Sequence, residues 1–117
     1  PTPDGTCIRA YIHVTDLADA HVRAVRRMME GGASDVFNLG AGAGYSVREV
    51  IDAVGRIVGN PVNAIEDGRR AGDPARLVAD ISHARQGLGW QPVQSSLDTI
   101  VATAWNWYRA HVATGRA

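Results

Sequence analysis

A small α/β domain, with about four helices and a few short strands, is what this sequence predicts, and three observations carry the prediction. The apolar residues change period along the chain, from the alternation of a strand to the 3.6-residue repeat of a helix and back. Each helical stretch lies between a capping side chain and a glycine. The composition is ordinarily globular, with 45% hydrophobic and 21% charged residues. A chain of 117 residues can bury roughly two-thirds of its unfolded surface, so one domain over 1–117 with one modest core is expected.

The elements follow in order. Residues 7–14 alternate, with Ile8, Ala10, Ile12 and Val14 on one face and Cys7, Arg9, Tyr11 and His13 on the other, which predicts a strand with Arg9 beside Tyr11. From Thr15 the period is helical, with Leu17, His21, Ala24, Val25 and Met28 on one stripe; Thr15 or Asp16 caps it, and Gly31-Gly32 ends it. Met28 and Met29 are expected to be packing residues. Asp35–Leu39 predicts a short strand, Gly40–Gly44 a turn, and Ser46-Val47-Arg48-Glu49 a capping box. The amphipathic helix that follows stops at Gly59-Asn60-Pro61. Residues 61–65 predict an edge strand, 67–74 a polar loop and Leu77-Val78 a brief extension. Asp80 caps a short helix through Leu88, after which Gly89 stops it and Trp90 folds onto the core. Ser95 or Ser96 caps a last helix, with Leu97, Ile100, Val101, Ala104, Trp105, Tyr108 and Val112 on its inner face and Trp107 outside.

Charge narrows the function. Twelve basic residues balance twelve acidic ones, so neither a nucleic-acid-coating surface nor a polybasic membrane anchor is expected. All twelve basic residues are arginine, which removes every mechanism that needs a lysine as Schiff base, lowered-pKa base or anchor. Cys7 is the only cysteine and no apolar run approaches the roughly 20 residues of a membrane span, so a cytoplasmic protein is expected. The chain opens Pro1-Thr2-Pro3 without methionine, and a fragment of a longer gene is expected.

Two arginine-bearing segments stand out: Arg9 to Ala18, reading RAYIHVTDLA, and Arg69 to Pro74, reading RRAGDP. A nucleotide diphosphate needs multi-donor cations converging from different elements, because each guanidinium forks onto two oxygens and its plane fixes direction. Arg9 on a strand and Arg70 on a loop suit that need, and Asp73, held by the bend at Gly72 and Pro74, can accept hydrogen bonds from ribose hydroxyls.

These segments, together with Val36-Phe37-Asn38-Leu39-Gly40, Gly44-Tyr45-Ser46-Val47 and Leu88-Gly89-Trp90, resemble the carboxy-terminal part of the NAD-dependent UDP-glucose 4-epimerases, extended short-chain dehydrogenase/reductases that interconvert UDP-glucose and UDP-galactose. The resemblance runs from about Asp4 to about Arg109. It implies a UDP-sugar half-site in which Arg9 and Arg70 contact the diphosphate, Asp73 lies near the ribose and Tyr11 is the aromatic beside the nucleotide. The family's glycine fingerprint for NAD and its catalytic Tyr-x-x-x-Lys dyad lie upstream of what is present, so no catalytic residue and no cofactor are assigned to this chain alone, whereas the complete family enzyme uses NAD. Where the family usually has aspartate after the strand arginine this chain has Ala10, which predicts a less well oriented Arg9. The resemblance also implies that the first helix and the strand ending at Leu39 pack on a Rossmann sheet, so a homodimer or a complementing amino-terminal Rossmann half is the expected partner. A non-catalytic nucleotide-binding or self-assembling module is the alternative.

Two rival sites are weaker. The turn Gly40-Ala41-Gly42-Ala43-Gly44, with Glu66 or Asp67 about twenty residues on, imitates a dinucleotide loop, but Tyr45 stands where a glycine is needed. His13, Asp16, Asp19 and His21 invite a metal, yet the aspartates read as first-turn carboxylates facing the helix dipole.

Overall fold

The computed structural model describes residues 2–112. Its elements are β1 (Ile8–Arg9), α1 (Val14–Met29), β2 (Tyr45–Ser46), α2 (Val47–Val58), β3 (Arg76–Leu77), α3 (Ser82–Leu88) and α4 (Leu97–His111). The four helices and small sheet are the α/β arrangement expected. β1 is the central strand, antiparallel to β2 and parallel to β3, with Ile8 opposite Ser46 and Arg76. Gly44 is needed where β2 meets β1, because a Cβ there would lie 2.5 Å from side-chain carbons of both Ile8 and Val78.

The strands are shorter than the alternation predicts, and the reason is local competition. By His13 the chain has already become a helix cap: the His13 ring Nδ1 accepts from the Thr15 amide at 3.0 Å, and its own amide donates to Ser95 Oγ at 2.9 Å. The cap of α1 is therefore His13, not Thr15 or Asp16. Asp35–Leu39 forms no ladder; side chains hold it instead, with His83 3.0 Å from both Asp35 carboxylate oxygens and stacked on Phe37 at 4.8 Å. The 61–65 stretch is exposed and likewise unpaired by any ladder.

The helix ends follow the sequence closely. Ser46 and Glu49 form the expected capping box, with bonds of 3.0 and 2.6 Å, and Gly59 closes α2 at φ 86°. Ser96, not Ser95, caps α4. Asp80 sits one residue too early to cap α3: Ile81 takes the cap position, and Asp80 accepts instead from the Ser82 amide and hydroxyl.

α1 packs on α3 and α2 on α4. The main core gathers Ala20, Ile81, Ala84 and the wholly buried Trp90, bordered by Ile12, Phe37, Leu39, Ala79 and Leu88. Much apolar surface stays outside it. Val25 and Met28 are exposed, Met29 is 82% exposed, and Tyr108 on α4 is exposed although its stripe predicts core. His21 faces solvent and bonds back to the Leu17 carbonyl at 2.7 Å. The radius of gyration is 17.1 Å, against about 13 Å for a compact chain of this length. The body is open and flat, 50 × 40 × 22 Å, too thin to bury both faces of its helices.

Candidate functional site

A groove of about 660 Å³ runs between the Asp4–Arg9 segment, the start of α2 and the 64–73 loop. Three of the four residues singled out by sequence, Arg9, Arg70 and Asp73, line it; Tyr11, past the end of β1 and half-buried, does not.

Arg9 is fixed at both ends of its fork. Nη1 donates to the carbonyl of Ile8 at 2.8 Å and Nη2 to Asp73 Oδ1 at 2.5 Å, with the two side chains 23% and 29% exposed. With Ala10 beside it, Arg9 finds its carboxylate 64 residues further on. Asp73 is itself held by a turn in which its amide bonds the Arg70 carbonyl at 3.3 Å and Gly72 takes φ 81°, a conformation open to glycine. Its second oxygen faces Cys7 Sγ at 3.7 Å.

Arg70 is different in kind. Its side chain is 88% exposed, and Asp73 is a counter-ion only at 3.9 Å. The neighbouring Arg69 turns back to donate to the Gly5 carbonyl at 3.1 Å, and Arg48 pairs with Glu66. Among the lining residues four arginines face five carboxylates, so the groove is not a cationic bowl. Its positive character at any point depends on which pairs are closed.

Sequence reasoning missed the clip that shapes the groove floor. Asp4 accepts from the Thr6 amide at 2.9 Å and hydroxyl at 2.7 Å, and from the Ser46 hydroxyl. Those bonds, first the one from Ser46 and then those from Thr6, lower its carboxyl from 3.8 to about 2. The spacing Asp4-Gly5-Thr6 is an Asx-turn signal that identifies half of the clip. Nothing local announces Ser46, which also caps α2.

The rival sites do not assemble. In the 40–44 turn the glycines make room for the chain itself: a Cβ on Gly40 would meet Ala79, Ala10 and Ile81, and one on Gly44 would overlap Ile8 and Val78. That space is filled by protein and does not fit a pyrophosphate. Asp19 pairs with Arg23 at 2.8 Å, and no three His, Cys, Asp or Glu side chains among the described residues are grouped to hold a metal ion. Asp16, expected at the helix surface, is 2% exposed and accepts from the Val93 amide at 3.1 Å, the Gln94 amide at 2.8 Å and Ser95 Oγ at 2.5 Å.

Residues 2–40 match the NAD dependent epimerase/dehydratase family. A UDP-glucose 4-epimerase of Halalkalibacterium halodurans is 49% identical over 110 residues, which is 94% of this chain and 33% of that protein. A crystal structure of UDP-glucose 4-epimerase from Brucella ovis in complex with NAD superposes with a TM-score of 0.83 at 50% identity, covering 89% of this chain and 33% of that one. The enzyme from Bifidobacterium longum in complex with NAD+ and UDP gives 0.81 at 41% identity, over 93% and 32%. The chain spans about a third of the length of the relatives it matches, and over that third it is similar to UDP-glucose 4-epimerases, with residues 2–40 matching the NAD dependent epimerase/dehydratase family.

Proposed function

We propose that this chain supplies the diphosphate- and ribose-binding half of a UDP-sugar site, as the carboxy-terminal part of an enzyme that interconverts UDP-glucose and UDP-galactose. One observation carries the reading: Arg9 and Arg70, from a strand and a loop far apart in sequence, flank Asp73 on one groove. Two guanidiniums approaching from different elements can fork onto adjacent phosphates, while the carboxylate between them can accept from a ribose diol. UDP and NAD+ bound to the Bifidobacterium longum relative support the ligand class.

Chemistry at the sugar is left to residues outside this chain. There is no lysine to complete a Tyr-x-x-x-Lys dyad, and the one glycine-rich turn does not fit a dinucleotide. NAD, which supplies the transient oxidation of the sugar in the family, is held in this reading by an amino-terminal Rossmann half. The exposed apolar residues of α1, Val14, Val25, Met28 and Met29, support such a covering partner, with a second copy of the chain as the alternative in a cytoplasmic setting.

Isothermal titration with UDP, UDP-glucose and NAD tests the reading. Heat with the two uridine ligands and none with NAD is expected, and an Arg70→Ala, Asp73→Ala double variant should abolish it. Silence with all three ligands would remove the half-site. Light scattering on the same sample separates the partners, since a clean monomer would exclude self-assembly.

A further inference from the structure

We propose that Asp73 is a built-in counter-ion that keeps Arg9 closed to bare phosphates and opens it only to a ligand carrying a diol beside its diphosphate. This rests on the reading of the groove as a nucleoside diphosphate half-site and adds what sets its selectivity. The geometry is a closed pair: Arg9 Nη2 lies 2.5 Å from Asp73 Oδ1, both side chains are largely shielded, and the other end of the fork is committed to the Ile8 carbonyl. Both partners are positioned by backbone, Arg9 by the central strand and Asp73 by the turn at Gly72, so neither swings away freely. Arg70, 88% exposed and 3.9 Å from the same carboxylate, is the arginine open to a first contact.

An incoming diphosphate therefore meets Arg70 first and reaches Arg9 only by displacing Asp73. For inorganic phosphate or pyrophosphate the exchange is unfavourable, because the released carboxylate stays beside the new anion with nothing to replace its charge-assisted bond. A nucleoside diphosphate brings ribose hydroxyls, which donate to the freed Asp73 oxygens and restore a partner. The aspartate thus discriminates through repulsion of the wrong ligand as much as through attraction of the right one. The acidic count around the groove, five carboxylates to four arginines, adds to the penalty on a bare anion.

The test is titration of the whole chain with UDP and with pyrophosphate, in the wild type and in Asp73→Asn. Asparagine keeps the shape and can still accept from ribose through its amide oxygen, but it no longer neutralises Arg9. Pyrophosphate affinity should rise about tenfold or more in the variant, while UDP affinity changes less, so that the preference for UDP collapses. If Asp73→Asn disturbs the turn, visible as a changed circular dichroism spectrum, Asp73→Ser provides the same removal of charge and should raise pyrophosphate affinity likewise. Wild-type binding of UDP, weakened in Arg70→Ala, together with unchanged or weakened pyrophosphate binding in the Asp73 variants, would overturn the counter-ion role and leave the half-site standing. Absence of UDP binding in the wild type would overturn both.

Discussion

Asp16 and Asp73 are the same side chain put to opposite uses, and the contrast between their surroundings separates what holds this protein together from what it offers to a ligand. Asp16 lies inside, next to Trp90, whose indole Nε1 donates to the Asp16 carbonyl at 2.9 Å, and every oxygen of its carboxylate is taken by amides or a hydroxyl of the 93–95 segment. Its hydrogen bonds all come from neutral donors, with the charge of His13 adding the smallest contribution. Asp73 sits in an open groove and is matched to an arginine, a bond that an incoming anion can exchange. A buried carboxylate saturated with fixed donors is a fastener. A partly shielded one paired with a cation is a replaceable part.

The largest effect on this comparison should come from the fastener's apolar companion. Trp90→Ala removes the largest fully buried side chain and frees the carbonyl of Asp16, and it should cost about 3–5 kcal/mol in urea unfolding. A loss under about 1 kcal/mol would show that the core cluster is not where stability resides.

Next, Asp16→Ala leaves the Val93 and Gln94 amides and Ser95 Oγ without their acceptor and should cost about 3 kcal/mol. The same group sets an acid limit. Burial pushes its carboxyl up, but the bonds from Ser95, Val93 and Gln94 outweigh burial and hold it below 3.8. A carboxyl depressed in the folded state stabilises fully above its unfolded value and loses that contribution as pH falls from there through the folded value. Melting temperatures should therefore fall below about pH 4, and the fall should shrink in Asp16→Asn. An identical acid dependence in the two proteins would assign the effect to other carboxylates, of which Asp4, Asp35, Asp80 and Asp98 are also held low by hydrogen bonds from Ser46, His83, Ser82 and Arg56.

Arg70→Ala is the smallest change to the fold and the sharpest to the groove. Being exposed, the side chain should alter stability by no more than about 0.5 kcal/mol, while UDP affinity should drop about tenfold, the worth of a lost charge-assisted contact. A variant as unstable as Asp16→Ala would erase the distinction between the two regions.

The two regions also differ in how far sequence reveals them. Ser46 with Glu49, Ser96, Gly59 and Gly89 act within a few residues of their own helix ends, and reading them in order locates α2 and α4 almost to the residue. Arg9, Arg70 and Asp73 were reached by resemblance to a family and by the chemistry of the residue types; their meeting on one groove is a contact across more than sixty positions. The Asp16 fastener gave no signal, since an aspartate in a first helical turn has a sufficient local explanation in the helix dipole. The apolar alternation over 7–14 overstated β1 because pairing partners, supplied from elsewhere, last for two residues only.

By itself the sequence determined the class, the ends of α2, the start of α4 and the absence of any lysine chemistry in this chain, since these depend on composition and on hydrogen bonds between near neighbours. Tertiary structure decided which carboxylate is buried, which arginine is closed and which apolar faces are left uncovered. Those outcomes depend on where distant segments stop one another, and burial and ion pairing are set by the whole surroundings of a side chain, of which its neighbours in sequence are a small part.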